Sequence, residues 1–290
     1  MHTFIRKVGV FGAVALLYFT FCFCYNLYSV SYGKDSRVDR SSVLIVGDSH
    51  ARYGIDPARF SSADNVAQSS EPLAATFWKL EKLLPMVRPQ TVIATLAMHN
   101  VSGYNDVNFL ESPRQSVHFR RLHSILNYRE LASNFSVDYK NLSRTLFEEM
   151  VLLPSTHHHA YIGTFENKYG TRTLDPGVTI AKHFYDHGQV SHESPTMFSY
   201  LDSIINLCAE YDVQLYFVRT PEHENYRSRI PAYFAGVERK LTNKLAQRSV
   251  PYLNFSSIDL PESNYYDVDH LNARGATVFT DTLLARIHSI

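Results

Sequence analysis

Two segments far apart in the chain carry the residue types of nucleophilic acyl chemistry. The first is Gly47-Asp48-Ser49-His50, and the second runs Asp267-Val268-Asp269-His270-Leu271-Asn272-Ala273-Arg274-Gly275. A serine hydroxyl is a weak nucleophile until a base takes its proton, and imidazole is the usual base. That imidazole needs a partner on its other nitrogen to hold its tautomer and orientation. Asp267 stands three residues before His270, so one turn of chain brings its carboxylate to the ring. Asp269, adjacent in sequence, is expected to point elsewhere. Each segment also has a plainer reading. Gly47-Asp48-Ser49 can be a strand–turn–helix connection in which Asp48 or Ser49 only caps a helix. The Asp267–Gly275 segment can be a solvated loop in which Asp269 or Asn272 caps the last helix.

The elements around these segments are those of an α/β domain. Val43-Leu-Ile-Val46 is a short apolar, β-branched run that ends at Gly47 and predicts a buried strand. Thr91–Leu96, Val213–Val218 and Tyr252–Phe255 are further strands, and helices are expected over 71–84, 197–211, 232–248 and 273–290. Strands separated by helical patterns indicate βαβ units and a mainly parallel sheet with helices on both faces, a three-layer α/β/α sandwich. In such a sheet ligands bind beyond the carboxyl ends of the strands, which is where Ser49 falls. The stretch 101–194 is less regular, is largely helical around 120–150, and reads as an insertion in a domain spanning 43–290.

Together the two segments resemble the SGNH/GDSL hydrolase superfamily. The resemblance rests on Gly47-Asp48-Ser49 near the start of the body and Asp267-x-x-His270 near its end, in the family's order, with a strand before the serine. It implies a flavodoxin-like SGNH fold, Ser49 as nucleophile, His270 as base and Asp267 as its orienting partner. The Asp-His-Leu-Asn-x-x-Gly continuation is similar to that of exported, membrane-tethered relatives that act on or acylate cell-envelope polysaccharides. The resemblance therefore implies a serine esterase, deacylase or O-acyltransferase working on acyl esters of such polymers, with no metal and no organic cofactor. The family also supplies a glycine N–H to an oxyanion hole. The matching segment, Asn65–Pro72, has no glycine, which leaves Ser69 or Ser70 to offer the N–H. The family's asparagine after the next strand is matched by Asn100 in Ala97-Met98-His99-Asn100, beside His99, with Ala97 in place of a glycine. Asn100 also has a reading as a turn residue. These departures motivate a second hypothesis, a weakly active or inactive protein of this fold that binds envelope glycans, and a third, a structural component of an envelope assembly.

Other clusters point less clearly to chemistry. His157-His158-His159 reads as a polar loop, since consecutive histidines do not all face one ion. His183, His187 and His192 are read as a surface helix and loop, with the active-site cleft or a metal as the alternative. Asp267 and Asp269 could be paired carboxylates for glycoside hydrolysis if a sugar lay between them. Cys208, in an apolar helical stretch, reads as core packing.

The N-terminus is distinct. Arg6-Lys7 precedes a segment with no charge from Val8 to Tyr32. About 20 apolar residues are enough to cross a bilayer as a helix, and the basic pair favours a cytoplasmic N-terminus. Residues 1–32 are expected to be an uncleaved signal anchor with its membrane helix at about 8–28, and 33–42 a tether. The body is then extracytoplasmic. A cleaved signal ending near Ser29-Val30-Ser31, which would release the body, is the competing reading. Phe21 and Phe23 before Cys22 and Cys24 disfavour a lipoprotein, and the lack of a polar stripe disfavours a buried core helix. The whole chain has 290 residues, 28 Lys+Arg against 28 Asp+Glu, and three cysteines. The zero net charge speaks against a nucleic-acid partner, and so few cysteines exclude a disulfide scaffold.

Overall fold

The buried, β-branched runs form the centre of a sheet. The computed structural model describes residues 1–32, 38, 41–106, 115–155, 158–172 and 175–289. Strands β1 (Val43–Val46), β2 (Ala63–Asn65), β3 (Thr91–Thr95), β4 (Gln214–Arg219) and β5 (Tyr252–Asn254) pair in the order β2-β1-β3-β4-β5. All four pairings are parallel, with Leu44 opposite both Asp64 and Val92, and Ile93 opposite Tyr216. This is the doubly wound, flavodoxin-like order.

Both faces of the sheet are covered, as a parallel sheet requires. Side chains alternate across a strand. Ile45, Ile93, Val218 and Leu253 therefore share one face and pack with Ala51, Phe279 and Leu283 in one core cluster. Those residues come from α2 (Ser49–Gly54) and, near the C-terminus, the helix Ala273–Ile287. The alternate positions Leu44, Val46, Val92, Ala94, Leu215 and Phe217 are buried as well. On α3 (Leu73–Val87) Trp78 meets Tyr200 of the helix Pro195–Glu210 edge-on, at a centroid distance of 5.9 Å. Cys208 lies buried on that second helix, in core packing. The strand β2 had no forewarning in the sequence, because Ala-Asp-Asn is not an apolar run.

The described residues divide into two compact units. The sheet unit comprises residues 37–110 and 162–290, and a smaller helical unit comprises 1–36 and 111–161. The stretch 101–194, expected as one insertion, is thus shared between them. Most of the expected tether, 33–42, lies outside the described residues.

In the helical unit, α1 (His2–Tyr32) is one continuous helix, long and apolar enough to cross a membrane or to act as a signal, and mostly exposed. Helices Gln115–Leu122, Tyr128–Asn134 and Tyr139–Phe147 follow, and the last runs into a wide turn, Glu148–Leu152. Near the end of α1, Asn26 is fully buried. Its Nδ2 donates to the carbonyls of Glu149, Met150 and Leu153 at 3.2, 3.0 and 2.8 Å. Its Oδ1 accepts from Ser155 N and His158 Nε2. The apolar segment thus carries a buried polar anchor point. One expectation is sharpened here: His158 of the expected polar loop is buried in this network, where Asn26 and His123 receive its two ring nitrogens. His157 lies outside the described residues.

Candidate active site

The site forms where the winding of the sheet reverses, between the carboxyl ends of β1 and β3. Chain connections leave these neighbouring strands toward opposite faces, which opens a crevice. The chain leaves β1 through Gly47, whose φ is +123°. A Cβ at this position would lie 2.2 Å from Thr95 Oγ1, so only glycine lets the turn pass β3 this closely.

Asp48 follows as the N-cap of α2. One carboxylate oxygen accepts from His50 N at 2.9 Å and Thr95 Oγ1 at 3.2 Å. The other accepts from His99 Nε2 at 2.6 Å and Asn100 Nδ2 at 2.8 Å. Burial alone would raise the carboxyl, but His50 and the donors on His99 and Asn100 hold it well below the usual carboxylate range. Asp48 is therefore a cap, as the plainer reading had it, and it also ties α2 to the turn after β3.

Ser49 opens α2 with its side chain partly exposed. His270 Nε2 lies 2.8 Å from Ser49 Oγ. His270 Nδ1 lies 2.8 Å from Asp267 Oδ1. Asp267 Oδ1 also accepts from the backbone N–H groups of Asp269 and His270, at 3.2 and 3.0 Å. The loop is closed at its base by Tyr266 N donating to His270 O at 2.9 Å. With Nδ1–H directed at a carboxylate, Nε2 is left as an acceptor facing the serine.

The tight turn around Asp267 overturns one expectation. Asp269 does not point elsewhere. It is buried, with Oδ1 3.3 Å from His270 Nδ1 and Oδ2 3.8 Å from His50 Nε2. Burial would lower the His270 ring, yet Asp269 and Asp267 raise it above its ordinary value, while His50 acts in the opposite sense. Burial would lower His50 too, but Asp48 and Asp269 push it up to about 9.

A cavity of about 170 Å³ opens over Ser49 and His270, lined also by Ser69, Ser70, Asn100, Tyr53 and Tyr104. The segment after β2 reaches it by running beside β1, with Val66 N donating to Ile45 O and Gln68 N to Gly47 O. Ser70 then takes φ +57°, the left-handed conformation that glycine enters freely and that costs another residue about 1–2 kcal/mol. Ser70 thus holds, at the cavity wall, a conformation more usual for glycine. Ser69 Oγ pairs with Tyr53 Oη at 2.7 Å. The Asn100 side chain accepts from Ala97 N at 2.7 Å and gives one N–H to Asp48.

His183 corrects another expectation. It is buried and lines the cavity, stacked on His99 at 4.7 Å with Nδ1 2.7 Å from Tyr226 Oη. Burial, reinforced by His99, lowers its basicity well below that of an ordinary imidazole. The signal was present: Ile180, His183 and Phe184 form the buried face of the helix Pro176–Phe184. His187 is exposed, as expected. Thr220 and Tyr226 had no sequence signal, since they come to the site only through the tertiary fold.

Asp48, His50 and His99, and also His50, Asp269 and His270, place ligand-type atoms within 4.8 Å of one another. In the first set His99 Nε2 already binds Asp48, and in the second Asp267 holds His270 Nδ1. Both sets are ion-paired clusters in which the atoms that would face a cation face each other.

No family model matches the chain, and no curated protein matches it. Among solved structures it is similar to a GDSL-like lipase from Bacteroides thetaiotaomicron, with 9% identity and a TM-score of 0.40 over 91% of this chain and 97% of that one. It is similar to a psychrotrophic esterase from Pseudoalteromonas, with 13% identity and a TM-score of 0.40 over 85% and 96%. A lipase/acylhydrolase from Enterococcus faecalis gives 10% identity and a TM-score of 0.36 over 85% and 95%. Likeness at this level is one of chain outline, and function is read from the geometry of the site.

Proposed function

We propose that the protein is a serine esterase or O-acyltransferase that works through an acyl-enzyme on Ser49. The observation that carries this reading is the unbroken chain Ser49 Oγ, His270 and Asp267, with 2.8 Å at each link, at the floor of an open cavity. Ser49 Oγ attacks the ester carbonyl carbon as His270 Nε2 takes its proton. Asp267 holds the ring and stabilises the imidazolium. The negative charge on the carbonyl oxygen is met by the Ser49 N–H, an N–H of the Ser69–Ser70 turn and the second N–H of Asn100. Losing one such donor typically costs about 3–4 kcal/mol of transition-state stabilisation. Collapse breaks the ester C–O bond, and His270 returns the proton to the departing alcohol. Water or a sugar hydroxyl then attacks the acyl carbon and loses its proton to His270; collapse breaks the acyl C–Oγ bond, and His270 returns the proton to Ser49 Oγ.

The substrate proposed is an acyl ester of a cell-envelope polysaccharide. Tyr53 and Tyr104 on the cavity wall suit contact with a sugar ring. The long α1, apolar after its Arg6-Lys7, supports an anchored, extracytoplasmic body, so that the enzyme meets its polymer at the membrane. No cofactor enters the steps above.

A fluorophosphonate probe tests the assignment on the full chain in detergent. The adduct should map to Ser49 by mass spectrometry and vanish in Ser49→Ala. His270→Ala should lose both labelling and ester turnover with its fold intact. An adduct elsewhere with Ser49 untouched, or full activity in either variant, removes the proposal.

A further inference from the structure

We propose that Asp269 and His50 form a second carboxylate–imidazole pair behind His270 that sets its basicity, with His50 a positioning residue acting through Asp269. This deepens the reading of His270 as the base and rests on it. Two carboxylates face one ring nitrogen, Asp267 Oδ1 at 2.8 Å and Asp269 Oδ1 at 3.3 Å. One carboxylate suffices to hold a tautomer. Two uncompensated negative charges would keep the ring protonated and stop Nε2 from accepting the serine proton.

The compensation comes from α2. His50 is buried directly beside the base, its ring centroid 5.2 Å from that of His270. Thr220 Oγ1 holds its Nδ1 at 2.8 Å and so aims Nε2 at Asp269 Oδ2, 3.8 Å away. His50 Nε2 is buried and has no hydrogen-bond partner among the described residues. A lone pair there would oppose a carboxylate, so the proton sits on Nε2. On its other side His50 meets Asp48, whose charge also favours the imidazolium.

The other groups around the pair are accounted for. Asp48 is shared with His99, whose ring lies 4.8 Å from His50. Glu222 is held by Arg219 at 2.7 and 2.9 Å. His183 and the Tyr226 phenol stand near Asp269, the first lowered and the second raised by burial. The Tyr53 ring meets His270 edge-on at 5.4 Å, with the Lys168 ammonium 4.5 Å from its centroid and Glu166 on that ammonium. Among these, Asp269 and Asp267 raise His270, and His50 lowers it.

The test compares His50→Gln, Asp269→Asn and the double variant. The pH dependence of kcat/KM for p-nitrophenyl acetate reads the base. A charge at 4–6 Å moves a pKa by about 1–3 units, a carboxylate raising an imidazole and a second imidazolium lowering it. His50→Gln should therefore raise the acid limb by about one unit, a roughly tenfold loss of kcat/KM at pH values below it. Asp269→Asn should lower the limb, and the double variant should fall between the two. NMR titration of 15N-labelled histidines reads His270 directly in the same proteins. Because it needs no turnover, it separates a failure of this pairing from a failure of the esterase reading. Shifts of the same sign in the two single variants, or no shift in either, overturn the proposal. The wild-type spectrum stands on its own if His50→Gln does not fold, and a His50 ring uncharged at neutral pH overturns the proposal too.

Discussion

Replacing Asp48 by Asn should destabilise the protein far more than a change of one atom suggests. Asp48 is buried and accepts four hydrogen bonds, two on each oxygen. Asn keeps one acceptor oxygen, which can still serve His50 N and Thr95 Oγ1, and Asn caps a helix as well as Asp does. The amide nitrogen then faces His99 Nε2 and Asn100 Nδ2, both donors. Two hydrogen bonds to a charged group are lost, each worth about 1.5–3 kcal/mol, which gives about 3–6 kcal/mol in all. The same range follows from breaking one partner out of a buried ion pair, about 3–5 kcal/mol. At about 2–4 °C per kcal/mol, the melting temperature should drop by about 6 to 24 °C. Thermal unfolding followed by near-UV circular dichroism, with urea titration as a second measure, reads the change. Activity should fall with it, because Asn100 loses the anchor that turns its amide toward the cavity. A variant that melts within a degree or two of the parent would mean that the Asp48 carboxylate is not ionised and does not hold His99 and Asn100 in place.

Three further outcomes follow from the same geometry. His50 is pushed up to about 9 in the fold, against about 6.5 for an unfolded imidazole. A raised pKa gives stability that is complete below about pH 6.5 and is lost as the pH rises through about 9, on the order of 3 kcal/mol in total. Urea midpoints should thus fall across that window in the parent and fall less in His50→Gln, where only the raised His270 ring still contributes, and parallel curves would refute the charge on His50. Gly47→Ala should destabilise by about 1–3 kcal/mol or more from its positive φ alone, with a clash against Thr95 Oγ1 added. The clash, not the φ strain, should be relieved in the Thr95→Ala background, so a double-mutant cycle without coupling would contradict the close approach. The buried Cys208 thiol is pushed up to about 12 by burial. In a Cys22→Ser, Cys24→Ser background it should react with a thiol reagent only after denaturation, and prompt labelling of the native protein would show that this helix face is open.

How much of this was legible in the sequence depends on what each residue's neighbours are. The strands β1, β3 and β4 are apolar runs, β-branched or aromatic in part, buried on both faces, and β5 is a short run around the buried Leu253, so composition alone revealed them. The edge strand β2 was invisible because Ala63-Asp64-Asn65 carries no apolar signal. Ser49, Asp267 and His270 were legible because a serine after a strand and an aspartate one turn before a histidine have few other joint uses. For Asp269, sequence adjacency alone sends the side chain away from the ring, and the fold does the opposite. The backbone N–H groups of Asp269 and His270 both turn in toward Asp267 Oδ1, and this curls the loop until two carboxylates meet one ring. His50 and Thr220 were illegible as partners, since their contact joins positions 170 residues apart. Asn26 was hidden by its apolar surroundings, where averaging over a window erases a single amide.

That single amide bears on how the helical unit could meet a lipid phase. Only the first half of α1 is bare: from Tyr18 onward, one side of the helix is engaged by Phe147 and by the carbonyls of 149–153. Residues 2–17 rise about 24 Å as a helix, short of a hydrocarbon thickness of about 30 Å. A bilayer that took in α1 to its full thickness would therefore reach the turn that grips Asn26. That turn and its approach present Phe147, Leu152 and Leu153 outward, all apolar and exposed. The waterline would then fall not on a bare rod but on a greasy collar keyed to the rod at one angular position, and the helix could neither spin nor slide without tearing five hydrogen bonds at Asn26.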